Sequence, residues 1–446
     1  MNYPNIITSP PGLKAREVIE KDARLLSPSF SRAYPLVISS GEGCIITDVD
    51  GNQYIDLNSG LACLNVGHGH PRVIEAIKSQ AEKFLHYSYT DFYYEPVVSL
   101  SEDLCEIIPG DFEKRFFYGN SGAEAVEAAI KLARWHTKRQ MIIAYIGSFH
   151  GRTMGALSLT ASKPVQRRGF APLIPGVEHI PYPYCYRCPF RLESPECGYY
   201  CVDYIDRYLF KRYVPPEDVA LVIAEPIQGE GGYIMAPSGY FKELKKLLEG
   251  YNILFAVDEV QSGMGRTGRW LAIEHFGVIP DIVCLAKAIA SGLPLGVMAS
   301  RSEIMDWPPG SHASTFGGNP VSCAAAKAVI EVIRDEGLLM NAERMGEHLL
   351  KRLGEMKEEH ELIGDVRGKG LMIGVELVRD LNTKEPAEKE IEDVILRCFR
   401  MGLAIVGCGA STLRIAPPLI INRQLIDRAL EILDKAIREV EASHCK

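Results

Sequence analysis

Tryptophan occurs three times in 446 residues, and no apolar run approaches the ~18 residues that a membrane-spanning helix requires. That absence argues against a bilayer protein. Clustered positive charge is also missing: 49 Lys and Arg are scattered among 57 Asp and Glu for a net charge of −8, so the chain carries no basic field for nucleic acid. Residues 1–21 mix prolines with charges and lack the apolar centre of a secretory signal, which leads to the expectation of a cytoplasmic protein. Internal repeats and low-complexity tracts are absent as well. Cysteine is not scarce, at twelve. Most stand alone in apolar stretches, as Cys284 and Cys323 do, the pattern of buried thiols in a reducing compartment. What is present, 47% hydrophobic and 24% charged residues, suits a soluble globular protein of two lobes around a sizeable core.

From about residue 110 to 300, short β-branched apolar runs alternate with helical patterns. This predicts an α/β fold with a doubly wound, mainly parallel, seven-stranded type of sheet. Candidate strands are Met141–Tyr145, Val219–Ala224, Ile253–Val257, Ile282–Leu285 and Gly296–Ser300. Beyond Asn319-Pro320 the pattern turns to amphipathic helices, with Leu425, Ala429, Ile432, Leu433, Ala436 and Val440 on one face. Asp50-Gly51-Asn52, between two alternating runs, reads as a hairpin turn. The expected organisation is a large domain over 66–320 with a cysteine-rich insert at 185–201. A smaller α+β domain is expected from 321–446, joined by residues 1–65.

One pairing points to chemistry. Asp258 ends an apolar strand, and Lys287 stands 287 − 258 = 29 residues later in a second apolar strand-to-helix stretch. Pyridoxal phosphate needs both groups: an amine to hold its aldehyde and a carboxylate to keep its ring nitrogen protonated. Lysine is seldom placed in such apolar company for solubility alone, and partial desolvation lowers its pKa for Schiff-base chemistry. Asp258 has a structural alternative, a helix cap or ion pair. Gly119-Asn120-Ser121-Gly122-Ala123 opens a helix whose N-terminus suits a phosphate, or is a plain helix cap. Thr315, in a glycine-rich turn, is a second phosphate candidate or a surface turn. Phe149-His150-Gly151-Arg152 follows a strand end, where such folds bind ligands. Phe149 would stack on the ring, or else pack in the core. Val260 would cover the other ring face, and Gln261 would bond the ring hydroxyl.

These motifs, with Gly67-His68-Gly69-His70-Pro71 and Glu225-Pro226-Ile227-Gln228-Gly229-Glu230-Gly231-Gly232, resemble the class III, or ω, aminotransferases of fold type I over nearly the whole chain. The likeness is strongest to 4-aminobutyrate and ornithine aminotransferases. The resemblance implies that Lys287 and Asp258 are catalytic. It implies that Ser121, Gly122, Ala123, Phe149, His150, Val260, Gln261 and Thr315 bind the cofactor, Thr315 across an obligate homodimer. It makes Arg152 the ligand of a distal carboxylate and Arg414 that of the α-carboxylate, guanidinium being suited to two-point recognition. Glu225 would cover Arg414 when a substrate brings no α-carboxylate, and Leu61 would shape the pocket. The implied reaction is transfer of an amino group from an amino acid or ω-amino acid to a 2-oxo acid such as 2-oxoglutarate.

Two departures stand out. Only five residues separate Cys408 from Arg414, fewer than in many relatives. The insert carries Cys185, Cys188, Cys197 and Cys201, a spacing open to a structural zinc clip, a pair of disulfides or free thiols. It resembles archaeal members of the group that are similar to amino-acid racemases. Racemisation is therefore the alternative activity, and the second base it needs is not identifiable from sequence.

Overall fold

The computed structural model describes residues 3–444. Its centre is a seven-stranded sheet in the order Lys114–Gly119, Gly296–Arg301, Ile282–Leu285, Leu254–Asp258, Val219–Ala224, Met141–Tyr145, Val177–Ile180. Gly296–Arg301 runs antiparallel to both its neighbours, and the other pairings are parallel. Every residue of Val219–Ala224 is buried, as a strand covered on both faces must be. The Gly122–Thr137 helix presents Ala125, Ala128, Ala129 and Ala133 to the sheet. These small side chains let the helix approach closely, which brings its N-terminus to the carboxyl ends of the central strands.

The five expected strands are present, with three adjusted ends. Leu254–Asp258 begins one residue late because Asn252 takes φ +51° and the Ile253 N–H bonds back to Leu248 O. It ends one residue late because Asp258 joins the ladder opposite Cys284. Gly296–Arg301 continues to pair Arg301 with Lys114. The two unforeseen strands, Lys114–Gly119 and Val177–Ile180, are the sheet edges. Charged and half-exposed residues break their apolar pattern.

Ile45–Asp48 and Gln53–Asp56 form the expected antiparallel hairpin. Asp48 Oδ1 accepts the Asp50 and Asn52 N–H groups, and Gly51 sits at φ +92°. Leu403–Ala404 adds in parallel beside Gln53–Asp56, so segments far apart in sequence share one sheet. A second four-stranded antiparallel sheet, Ile363–Lys369, Met372–Leu377, Thr412–Ile415, Val406–Cys408, carries Arg414. The Arg423–His444 helix buries Ala429, Ile432, Leu433, Ala436 and Val440, while Leu425 is partly buried. Among the described residues no helix is long and apolar enough to cross a membrane.

Candidate active site

Parallel pairing of Leu254–Asp258 with Ile282–Leu285 sets Asp258 opposite Cys284, three positions before Lys287. Both side chains thus reach one cavity of about 420 Å³ at the carboxyl ends of the strands. Lys287 holds φ +46°, a left-handed conformation that a non-glycine residue adopts only when its surroundings impose it. Burial lowers its pKa, against the opposing pull of Cys63, Asp258 and Glu225.

Asp258 is buried and doubly held: Oδ1 accepts the Val260 N–H at 3.0 Å, and Oδ2 lies 2.7 Å from His150 Nδ1. Burial disfavours the His150 cation, but hydrogen bonding and charge from Asp258, with the charge of Glu225, outweigh it and hold its pKa above the ordinary value. His150 Nε2 and Gln261 Oε1 are buried and have no partner among the described residues. The cavity therefore keeps two polar groups that the chain does not satisfy itself.

Ser121 caps the Gly122–Thr137 helix, its Oγ accepting the Glu124 N–H at 3.2 Å. Gly122 and Ala123 line the cavity beside it. A Cβ on Gly122 would come within 2.9 Å of Val260 Cγ1 and Cγ2, so only glycine fits there. Phe149 and Val260 also line the cavity, and the Phe149 N–H donates to Glu225 Oε1 at 2.8 Å. The exposed Arg152 guanidinium stands 5.5 Å from the Phe149 ring centroid.

Leu61 and Arg414 border an adjoining cavity that also touches Arg152, Glu230, Gln261 and Lys287. Leu61 belongs to a left-handed turn in which Ser59, Gly60, Leu61 and Ala62 have φ of 43°, 62°, 63° and 61°. Such a turn costs ~1–2 kcal/mol for each non-glycine residue. Arg266, fully buried, holds it: Nη2 donates to Ser59 Oγ and Asn65 Oδ1, and Nη1 to Leu371 O and Pro417 O. Thr315 lies in an exposed loop outside both cavities of this chain.

Two expectations need correction. Glu225 does not cover Arg414: its oxygens accept the N–H groups of Phe149 and Gly229. The carboxylate on Arg414 is Glu230, at 2.7 Å, with Lys163 on its other oxygen at 3.1 Å. Both glutamates sit in the same short motif: Glu225 precedes the Ile227–Gln228 strand, and Glu230 sits inside the turn that follows, closed by the Gly232 N–H to Gly229 O bond, which brings Glu230 to the arginine. The zinc clip is not formed either. Cys185, Cys188, Cys197 and Cys201 are free thiols around one small cavity, and among the described residues no three metal-ligating side chains converge.

Three residues escaped the sequence reading. Glu230 pairs with Arg414 and Lys163 with Glu230, both from loops, and Cys63 enters the cavity from the end of the left-handed turn. No periodicity marks them, although Glu230 lay inside a motif already singled out.

Comparison with known proteins places the chain. Residues 27–437 match the family Aminotransferase class-III. The chain is 45% identical to a leucine/methionine racemase of Thermococcus litoralis over 96% of its own length and 97% of the relative's. It is 43% identical to an alanine/serine racemase of Pyrococcus horikoshii, over 98% and 94%. A thermostable (S)-enantioselective omega-transaminase from Thermomicrobium roseum superposes with a TM-score of 0.89 at 34% identity, covering 96% of this chain and 99% of that one. The chain belongs to the class III aminotransferases, a family of pyridoxal phosphate-dependent enzymes.

Proposed function

We propose that this enzyme interconverts the enantiomers of an amino acid at the α-carbon. The observation that carries the reading is the 45% and 43% identity, over nearly the whole chain, to two amino-acid racemases. The cavity fits pyridoxal phosphate. Lys287 would be the amine for the aldehyde, and Asp258, held by His150, the carboxylate for the ring nitrogen. Gln261, with its unpartnered Oε1, would bond the ring hydroxyl. Ser121, Gly122 and Ala123 would hold the phosphate at a helix N-terminus, and Phe149 and Val260 would pack against the ring. Thr315 serves the phosphate of a second copy, which makes the homodimer the working unit. When bound, the cofactor supplies an electron sink that acidifies the C–H next to an attached amine.

Racemisation then needs two groups holding one proton between them: one removes the α-proton while the other delivers a proton to the opposite face. Lys287 is the first, and the cavity limits the choice of the second. Asp258 is committed to His150 and Val260, and Glu225 to two backbone N–H groups. Burial pushes the Cys63 thiol up. Glu230 remains. Burial alone would raise its pKa, but Arg414 and Lys163 bring it below the usual value. As a carboxylate it would take the α-proton of the enantiomer presented to its face while the protonated Lys287 delivers one from the other side. In the reverse direction Lys287 removes the proton and Glu230 returns the one it took. A substrate α-carboxylate would compete with Glu230 for Arg414 and free Glu230 to act.

Amino transfer is the second reading. It is favoured by Arg152 and Arg414 bordering one cavity, an arrangement suited to a dicarboxylic oxo acid. A panel of single enantiomers, each with and without 2-oxoglutarate, separates the two. Racemic product without the oxo acid supports racemisation, and glutamate formed only with it supports transfer.

A further inference from the structure

A second cavity, of about 290 Å³, lies behind the Gln228–Gly231 turn and beside the cysteine-bearing insert. Its walls are apolar and aromatic: Ile146, Pro181, Tyr182, Tyr184, Pro189 and Ile234. Two polar atoms there have no partner among the described residues. Gln228 is 1% exposed; its Nε2 donates to Ile146 O at 3.0 Å, and its Oε1 is unpaired. Gly147 and Gly231 crowd that oxygen so closely that a Cβ on either would come within 2.8 Å of it. Arg187 donates through Nε to Glu376, while its Nη2 is buried and unpaired.

An unsatisfied buried acceptor and an unsatisfied guanidinium donor at one apolar cavity call for a ligand that carries a donor and an anionic acceptor. The surrounding charges refine its class. Glu376 is shared by Arg187 and Arg367, and Arg367 also pairs with Asp365. Of these, Arg187 and Glu376 line the cavity, and Arg367 and Asp365 stand behind them, so the charges balance, which suits a zwitterion better than a phosphate. The volume matches a small amino acid with an apolar or aromatic side chain. We propose that this cavity is a second, non-catalytic site for such an amino acid, its carboxylate on Arg187, its ammonium on Gln228 Oε1, and its side chain among Tyr182, Tyr184 and the prolines. The assignment does not depend on which reaction the catalytic cavity runs.

The probe is α-methyl-L-phenylalanine, which has no α-hydrogen to exchange. The cofactor-loaded enzyme is titrated in parallel by calorimetry and by absorbance. Occupation of the catalytic cavity changes the cofactor spectrum, whereas occupation of the second site is spectrally silent. The expected result is a silent phase of heat with one molecule per chain. That phase weakens about tenfold or more in Gln228→Leu and in Arg187→Leu, the loss of one charge-assisted hydrogen bond, with the spectral phase unchanged. 3-Phenylpropanoate, which lacks the ammonium, should bind the silent site equally weakly. Arg187→Leu lies nearer the surface and answers alone if Gln228→Leu does not fold. Heat that tracks the spectrum throughout, or a silent phase that survives both substitutions, overturns the proposal and leaves the cavity to ordered water.

Discussion

His150 Nδ1 lies 2.7 Å from Asp258 Oδ2, with both side chains closed off from solvent. The pair sits at the end of the central strand, where the Val260 N–H holds the other carboxylate oxygen. Asp258 is therefore fixed in position before any ligand arrives, which electrostatic stabilisation in a dry site requires.

Asp258→Asn keeps the shape and the Val260 contact but removes the charge. The cofactor should still bind, with its visible absorbance present, while kcat falls on the order of 10²-fold or more. Failure to retain cofactor at all would make Asp258 a structural residue instead.

Burial pushes Glu225 up to about 7 despite its two backbone donors. The folded state thus holds this proton more tightly than the unfolded chain does. The resulting stability is full below the ordinary glutamate value, declines as pH rises through about 7, and is absent above it. Glu225→Gln should flatten the fall of stability between pH 4.5 and pH 7 by up to ~1.4 kcal/mol per pH unit, read from denaturation midpoints of wild type and variant across a pH series. An unchanged slope would place the titration elsewhere, Glu259 being the other carboxyl raised to about 7.

Glu230→Gln separates the two proposed bases. Enantiomer interconversion should fall by on the order of 10²-fold or more. Lys287 should still exchange the α-proton of one enantiomer with deuterated solvent, and with retention. Loss of exchange and interconversion together would assign Glu230 to binding through Arg414 rather than to proton delivery.

Arg266 has no carboxylate ion pair among the described residues, and burial brings its pKa down to about 10. Arg266→Met should cost at least ~3 kcal/mol in the denaturation midpoint, because several buried acceptors lose their donor at once. Arg266→Lys should recover little, since one ammonium cannot reach acceptors spread around a planar fork.

The sequence carried the parts of this site that strands place. The positions of Asp258 and Lys287 were legible because the first closes and the second follows an apolar run that must be a buried strand, where a charged side chain is uncommon. The helix over 122–137 and the hairpin around Gly51 were legible from small-residue and turn chemistry. The partner of Arg414 was not. Glu225 and Glu230 are equivalent in type and close in sequence, and only the folded turn chooses between them. The left-handed turn at 59–62 was hidden too, since Arg266 imposes it from more than two hundred residues away. The cysteine spacing matched a zinc clip in one dimension, but in space the four thiols ring a cavity without converging.

The central claim is tested most directly by incubating the cofactor-loaded enzyme with single enantiomers of leucine, methionine, alanine and serine in the absence of any oxo acid, and following the enantiomer ratio by chiral chromatography. The account predicts drift toward equal amounts of the two enantiomers for at least one of them, abolished in Lys287→Ala. Enantiomers that stay pure until 2-oxoglutarate is added, with glutamate then appearing, would contradict it and make amino transfer the activity.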